Sequence, residues 1–306
     1  MLTFKTITAE DKCKRLWDKF SAKKGIWDLW DFRHCFHTPN FRLNFILGMK
    51  DGEEIGIIPL VYDVNDRDYV YFGGGFPERN KIMIRDKGLL PDFLENCPKE
   101  TFLYYIDASE SYCDFEEGDK RYFLMLGKYG HDFSGYLATF NKKHRKNLNY
   151  DLKKLKETGY SLVLNDFNDF GAFMEMSKAR FGIESDYNDA DFVGSMQKAI
   201  DLARKMGILE MISARIKGKT EAVGIGIMYN GYYYVLGNAR NAGIKNLGKL
   251  LISEQIKSAI LKKCDEIDFL STESNWKELW NLESEQMLEY QKPIQARKSA
   301  EISAIP

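Results

Sequence analysis

Hydrophobic and polar positions alternate with a period of two along two well-separated stretches of the chain. In "NFILGMKDGEEIGIIPLVYDVNDRDYVYFGGG" (44–75) the pattern predicts strands over 45–49, 55–62 and 69–72. They are divided by Asp51-Gly52 and a polar turn at 65–68. Asp-Gly and Asn-Gly favour the two-residue turns that twist with a hairpin, so this reads as an antiparallel meander. About 165 residues later the plan recurs in "LEMISARIKGKTEAVGIGIMYNGYYYVLGNARN" (209–241). It predicts strands to Ile216, over 222–229 and over 232–236, turning at Lys217-Gly218-Lys219 and Asn230-Gly231. A repeat of that length is the size of a domain rather than of a solenoid unit.

Elsewhere the period is helical. Residues 9–20 and 26–36 predict short helices, the second rich in Trp27, Trp30 and Phe32. A short strand at 102–106, an acidic linker at 110–119 and an apolar run at 122–125 follow. The segment 141–158 places Leu148, Leu152 and Leu155 on one helix face and seven Lys or Arg around the rest. Helices are predicted around 170–181 and 189–206, the latter ending at Gly207. A further helix from Leu247 carries Ile252, Ile256, Ala259 and Ile260 on one face, and Asp268 to Leu270 read as a strand. This order predicts an α+β fold, an α/β sandwich of mixed, mostly antiparallel sheets flanked by helices. The expected domains are 1–130 and 131–306.

Composition narrows the function. Forty-four basic and forty-five acidic side chains leave a formal charge of -1, so no global field recruits nucleic acid or a membrane. No uncharged apolar run is long enough to span a bilayer, and the expectation is a soluble, cytoplasmic protein. The five cysteines are scattered and form no C-x-x-C pair, which reads as reduced thiols. "HCFH" brings His34, Cys35 and His37 together, but no distant cluster completes a ligand set, so no metal is expected. The chain also has no G-x-S-x-G elbow and no Cys/His nucleophile pair.

The chemistry-bearing stretch is "NARNAGIKNLGKLL" (238–251), a loop between an aromatic strand and an amphipathic helix. It offers Asn238, Arg240, Gly243, Asn246, Leu247, Gly248 and Lys249. A helix N-terminus with uncrowded amides holds a phosphate through its unsatisfied N–H groups and partial positive charge. A plain glycine-containing strand-to-helix turn has the same composition, so the loop alone leaves both readings open.

A meander, a glycine-bearing loop and an amphipathic helix in this order resemble the GNAT N-acyltransferase superfamily, in which that loop cradles the pyrophosphate of the acyl donor. The usual signature, Q/R-x-x-G-x-G/A, is met at Arg240 and Gly243 but has Lys245 in the last small position. Residues 20–292 more broadly resemble the Fem-type and related tandem-GNAT transferases, a group that includes peptidoglycan-type aminoacyltransferases and CelD- and BioF-like acetyltransferases. The likeness rests on "YLATFNKKHRKNLNYDLKKLKETGY", "NLGKLLISEQIKSAI" and "DEIDFLSTESNWKELW". The coiled-coil insertion of some Fem enzymes is absent.

The resemblance implies transfer of an acyl or aminoacyl group from acyl-CoA or aminoacyl-tRNA, with no permanently bound cofactor. The acceptor would be an amine-bearing small molecule or peptide, such as a cell-envelope peptide or sugar precursor; tRNA is a partner only under the second donor. The free amine attacks the donor carbonyl and its proton passes to a base. Glu273, just past the predicted strand, is the expected base, and Lys277 after Trp276 the residue expected to meet an acceptor carboxylate or phosphate. Arg145 and Asn147 match the K-x-R-x-N-like run and would bind acceptor, as would Trp276 and Tyr234. The "FGGGF" stretch at 72–76 lacks a following amphipathic helix, so the first domain is expected to have lost donor binding and to wall the acceptor cleft. The alternative is a catalytically silent GNAT-fold binding module.

Overall fold

The structure is a computed structural model that describes residues 1–108, 115–271 and 275–292. The N-terminal elements are β1 (Leu2–Ile7), α1 (Glu10–Phe20), α2 (Trp30–His34), β2 (Phe41–Lys50), β3 (Glu53–Asp63), β4 (Asp68–Tyr71), β5 (Met83–Ile84), α3 (Leu90–Glu95), β6 (Phe102–Ile106) and β7 (Glu116–Met125). There follow α4 (Phe133–Ala138), α5 (Lys142–Lys156), β8 (Ser161–Leu164), α6 (Phe170–Phe181), α7 (Ala190–Lys205), β9 (Leu209–Ile216), β10 (Lys219–Tyr229), β11 (Tyr232–Arg240), α8 (Leu247–Leu261), β12 (Glu266–Asp268), α9 (Asn275–Leu279) and β13 (Glu283–Gln291).

Both meanders form. The β2–β3, β9–β10 and β10–β11 hairpins close on Asp51-Gly52, Lys217-Gly218 and Asn230-Gly231, each pair with φ between 48° and 87°. Positive φ at both positions lets so short a turn follow the strand twist. The first sheet runs β1-β2-β3-β4, with β5 also on β3; the second runs β6-β13-β7-β12-β11-β10-β9-β8. Antiparallel pairing dominates, β11–β12 being parallel. The α+β architecture of mostly antiparallel sheets flanked by helices is thus the one expected.

Several local readings change. The expected helix at 26–36 is a 3-10 turn (Ile26–Asp28) followed by α2. Residues 116–119 of the expected acidic linker are strand, because β13 pairs with this end of β7. Residues 110–114 of that linker lie outside the described residues. Strands β6 and β7, which precede residue 130, hydrogen-bond into the larger sheet.

The two halves share a core. Trp27, Phe32 and Phe36 are buried in one cluster with Phe173, Met196, Ile225 and Tyr234. Burying each such side chain contributes about 1.5–3 kcal/mol. The segment after α1 is thus clamped onto the second sheet, and this positions the cleft between the halves. Among the described residues no helix is long and apolar enough to cross a membrane.

Candidate active site

The site is built where β11 and β12 part. They pair only over Tyr232↔Glu266, Tyr233↔Ile267 and Tyr234↔Asp268. Beyond Asp268 the chain turns to β7, where the Phe269 amide donates to Tyr122 O, while β11 continues to Arg240. A wedge opens between them, about 20 Å along the strand from Tyr234 to Arg240 at the usual rise per residue.

A β-bulge sets what faces this wedge. Ile225 pairs with Gly237 and Gly226 with Val235, so Leu236 is the extra residue. Tyr233 and Val235 pack under α8, and strict alternation would next send Gly237 and Ala239 there. The bulge shifts the register by one, and Asn238 and Arg240 take that face instead. Asn238 Nδ2 donates to Gln255 Oε1 on α8 at 3.0 Å. Arg240 lies over Gly248, whose added Cβ would stand 3.3 Å from its Nε.

The N-terminus of α8 has no side-chain cap: Asn246 precedes it at φ 69°, ψ 0°. The first amides of a helix have no partner within it, so those of Leu247, Gly248 and Lys249 form an anion-binding end. The Leu247 side chain is buried in the core. Gly243 N–H is spent on Asn241 Oδ1 at 2.9 Å, and Lys249 Nζ is paired with Asp151 of α5. Arg180 of α6 stands near Arg240; burial, then that neighbouring charge, holds its pKa below the ordinary value. Of the expected loop residues, Arg240, Asn246, Leu247, Gly248 and Lys249 lie at this helix end, with Arg180 beside Arg240, while Asn238 sits further along α8 against Gln255.

At the closed end of the wedge the backbone is strained. Leu270 has φ 60°, a conformation that costs a side-chain-bearing residue about 1–3 kcal/mol. Three side chains hold it. Asp268 Oδ1 accepts from Leu270 N at 2.9 Å, Lys277 Nζ donates to Phe269 O and Leu270 O, both at 2.9 Å, and Glu78 accepts from Ser271 N. Lys277 is 2 % exposed, its ammonium 4.6 Å from the centre of the Tyr122 ring. Burial lowers its pKa to about 8. Glu78 comes from the first half, and burial raises its carboxyl above the ordinary range, opposed by its bonds from Ser271. Arg121, almost fully buried, pairs with Asp268 at 2.8 Å and with Glu266.

A cavity of about 370 Å³ lies between the halves against this end, with Tyr232 and Tyr234 in its wall. Four basic side chains, Lys24, Arg79, Lys81 and Lys87, and two acidic ones, Asp28 and Asp107, line it. Burial opposes the Asp28 charge, but Lys81 at 2.7 Å and the amides of Gly25 and Lys24 hold its pKa below the ordinary value. Arg79 pairs with Asp107 and covers the Tyr232 ring, its centre 5.7 Å away.

Glu273 lies outside the described residues. Trp276 packs edge-on against Phe269, 5.9 Å between ring centres. Arg145 reaches Ala138 O on α4 and Asn147 is exposed on α5; neither lines the cavity between the halves. His34 and His37 stack at 5.4 Å among Trp30, Phe41 and Phe72, and burial lowers the His37 pKa to about 4. Glu78, Lys81 and Arg180 are not among the expected residues. The only sequence signal near Glu78 is the glycine run before it, which says nothing of a contact with residue 271.

Residues 142–278 match the family described as "Acetyltransferase (GNAT) domain". No curated protein matches the sequence. Among solved structures, FemX superposes with a TM-score of 0.58 at 11 % identity, covering 94 % of this chain and 97 % of that one. A tandem GNAT protein from the clavulanic acid biosynthesis pathway gives 0.56 at 11 %, covering 94 % and 98 %. L-PGS from Bacillus licheniformis gives 0.53 at 10 %, covering 93 % and 92 %. At these identities the likeness is one of fold: the whole chain shares the fold of these tandem-GNAT structures, and its residues 142–278 match the acetyltransferase (GNAT) domain.

Proposed function

We propose that the protein moves an acyl or aminoacyl group from an activated carrier, acyl-CoA or aminoacyl-tRNA, to an amine held between its two halves. The observation that carries this reading is the wedge between β11 and β12. Its open end holds the uncapped N-terminus of α8 with Arg240 and Arg180, and its closed end meets the cavity at Tyr234. The carrier's phosphates bind the helix end, and its extended chain lies along the unpaired edge of β11, bringing the carbonyl to the closed end.

The chemistry needs no covalent enzyme intermediate. The neutral amine adds to the carbonyl carbon, the oxyanion collapses, and the carrier's thiolate or alkoxide leaves. The proton of the new ammonium passes to a carboxylate. Glu78 suits this role, since its raised pKa brings it closer to neutrality, where a general base is effective. Glu273 remains the other candidate. Lys277 holds the strained turn and keeps a positive charge beneath the reacting carbonyl. The preponderance of basic side chains in the cavity suits an acceptor that carries a carboxylate or phosphate besides its amine, such as a cell-envelope peptide or sugar precursor.

The test is thermal unfolding with CoA, acetyl-CoA or bulk aminoacyl-tRNA, each at two salt concentrations. A ligand bound only by the native state raises the midpoint. A CoA-dependent rise that Gly248→Trp removes supports a CoA donor in this loop, because the indole displaces Arg240 and covers the helix end. A salt-sensitive rise with aminoacyl-tRNA alone supports that donor. No rise with any of them removes the carrier site and leaves a binding module.

A further inference from the structure

The glycine run 73–75, for which the acyl-transfer reading has no use, forms the wall of a second cavity of about 200 Å³ between the first half and the start of α7. Trp27 of the larger cavity packs edge-on against Phe76 of this one, 5.9 Å between ring centres. The cavity exceeds the ~150 Å³ that accommodates benzene in a protein interior.

Its lining has two characters. Phe36, Phe41, Phe76 and Phe192 supply aromatic surface, Phe36 stacked on Phe76 at 4.7 Å and Phe76 edge-on to Phe192 at 5.5 Å. Asp63, Asp189 and Asp191 supply carboxylates, and no lysine or arginine lines it. None of the three is in an ion pair among the described residues. Each has one oxygen engaged by a neutral donor: Asp63 by Asn65 N at 2.8 Å, Asp189 by Asp191 N at 2.8 Å, and Asp191 by Asn40 Nδ2 at 2.9 Å. The second oxygen of each is left to another ligand. Ser195, 3 % exposed, also lines the cavity, and its hydroxyl has no hydrogen-bond partner among the described residues. Its oxygen is open to the cavity, where it can meet a donor.

Aromatic faces attract a cation through their quadrupole, uncompensated carboxylates add Coulomb attraction, and a serine oxygen accepts an N–H. A neutral apolar guest satisfies only the rings and an anion is repelled. We infer that this second cavity binds the ammonium group of a small alkylamine, set over the phenylalanine rings and hydrogen-bonded to Ser195 and the Asp191 carboxylate. The inference does not depend on where the acyl carrier binds, so it stands or fails apart from the proposed transfer reaction.

The test is calorimetric titration of the full chain with n-pentylammonium chloride, with n-pentanol as the neutral probe of equal shape. The expected result is saturable pentylammonium binding with Kd on the order of 1 mM and pentanol binding at least about tenfold weaker. Gly75→Leu fills the cavity and should abolish binding. A Cβ there meets nothing within 4 Å and its φ is not positive, so the variant folds. Asp191→Asn should weaken pentylammonium about tenfold with no change for pentanol. Equal affinity for the two probes would reduce the site to an apolar hollow. Undiminished binding in Gly75→Leu would place the amine elsewhere, and no saturation at all would overturn the inference outright.

Discussion

Lys277 offers the sharpest check on the energetics of the site. It is buried, it donates to Phe269 O and Leu270 O, and burial takes its pKa from an ordinary 10.5 to about 8. In the unfolded chain the ammonium keeps its proton up to about 10.5, whereas in the folded chain it releases it above about 8. Between those values the unfolded state binds more protons, so the contribution of this residue to stability rises with pH. The whole fall in pKa corresponds to about 3 kcal/mol, or about 1.4 kcal/mol per pH unit inside the window. Lys277→Met removes the titrating group while filling similar space. The wild type alone hides the effect, because the buried thiols of Cys13 and Cys35, raised to about 12 and about 11, cost stability above their ordinary pKa of 9.0. The difference between the proteins isolates it. Urea unfolding of both at pH 7, 8, 9 and 10 should show the wild type gaining on Lys277→Met, by about 2.5 kcal/mol between pH 7 and pH 10. A difference that stays flat from pH 7 to 10 would refute the buried charge and with it the account of the turn at Leu270.

Three further outcomes are expected. Arg240→Gln combined with Arg180→Gln should weaken the carrier's binding about 10- to 100-fold, most at low salt, with unfolding unchanged; calorimetric titration of the carrier checks this. Glu78→Gln should lower acyl transfer about 10²- to 10⁴-fold and abolish the limb of the pH–rate profile that rises through the raised carboxyl pKa, as measured in single-turnover assays. Arg33→Met should cost about 3–5 kcal/mol in urea unfolding. The buried guanidinium of Arg33 donates to the carbonyls of Trp27, Phe72 and Arg79, and each carbonyl left unpaired costs about 1–3 kcal/mol, partly offset by removing a desolvated charge.

The sequence by itself determined whatever depends on neighbouring residues. Asp51-Gly52 and Asn230-Gly231 prefer the positive φ of hairpin turns, so both meanders and their repeat were legible, as was the helix beginning at Leu247, whose apolar residues recur at its own period. The connection from β11 to α8 was legible for the same reason, but Asn238 to Arg240, read as loop, are the paired end of β11. Polar strands were not: the sequence of β13, ESEQMLEYQ, has little apolar alternation and is a strand because β6 and β7 satisfy its backbone on both sides. Nor could alternation find the bulge at Leu236, which depends on pairing with Ile225 and Gly226 and decides that Asn238 and Arg240, rather than Gly237 and Ala239, face α8. The reacting end of the wedge is the furthest from any local rule. Glu78 meets Ser271 across 193 residues, and Leu270 holds a left-handed turn that its own side chain disfavours. Local preference opposes that turn, and only the tertiary contacts of Asp268, Lys277 and Glu78 supply the free energy that holds it.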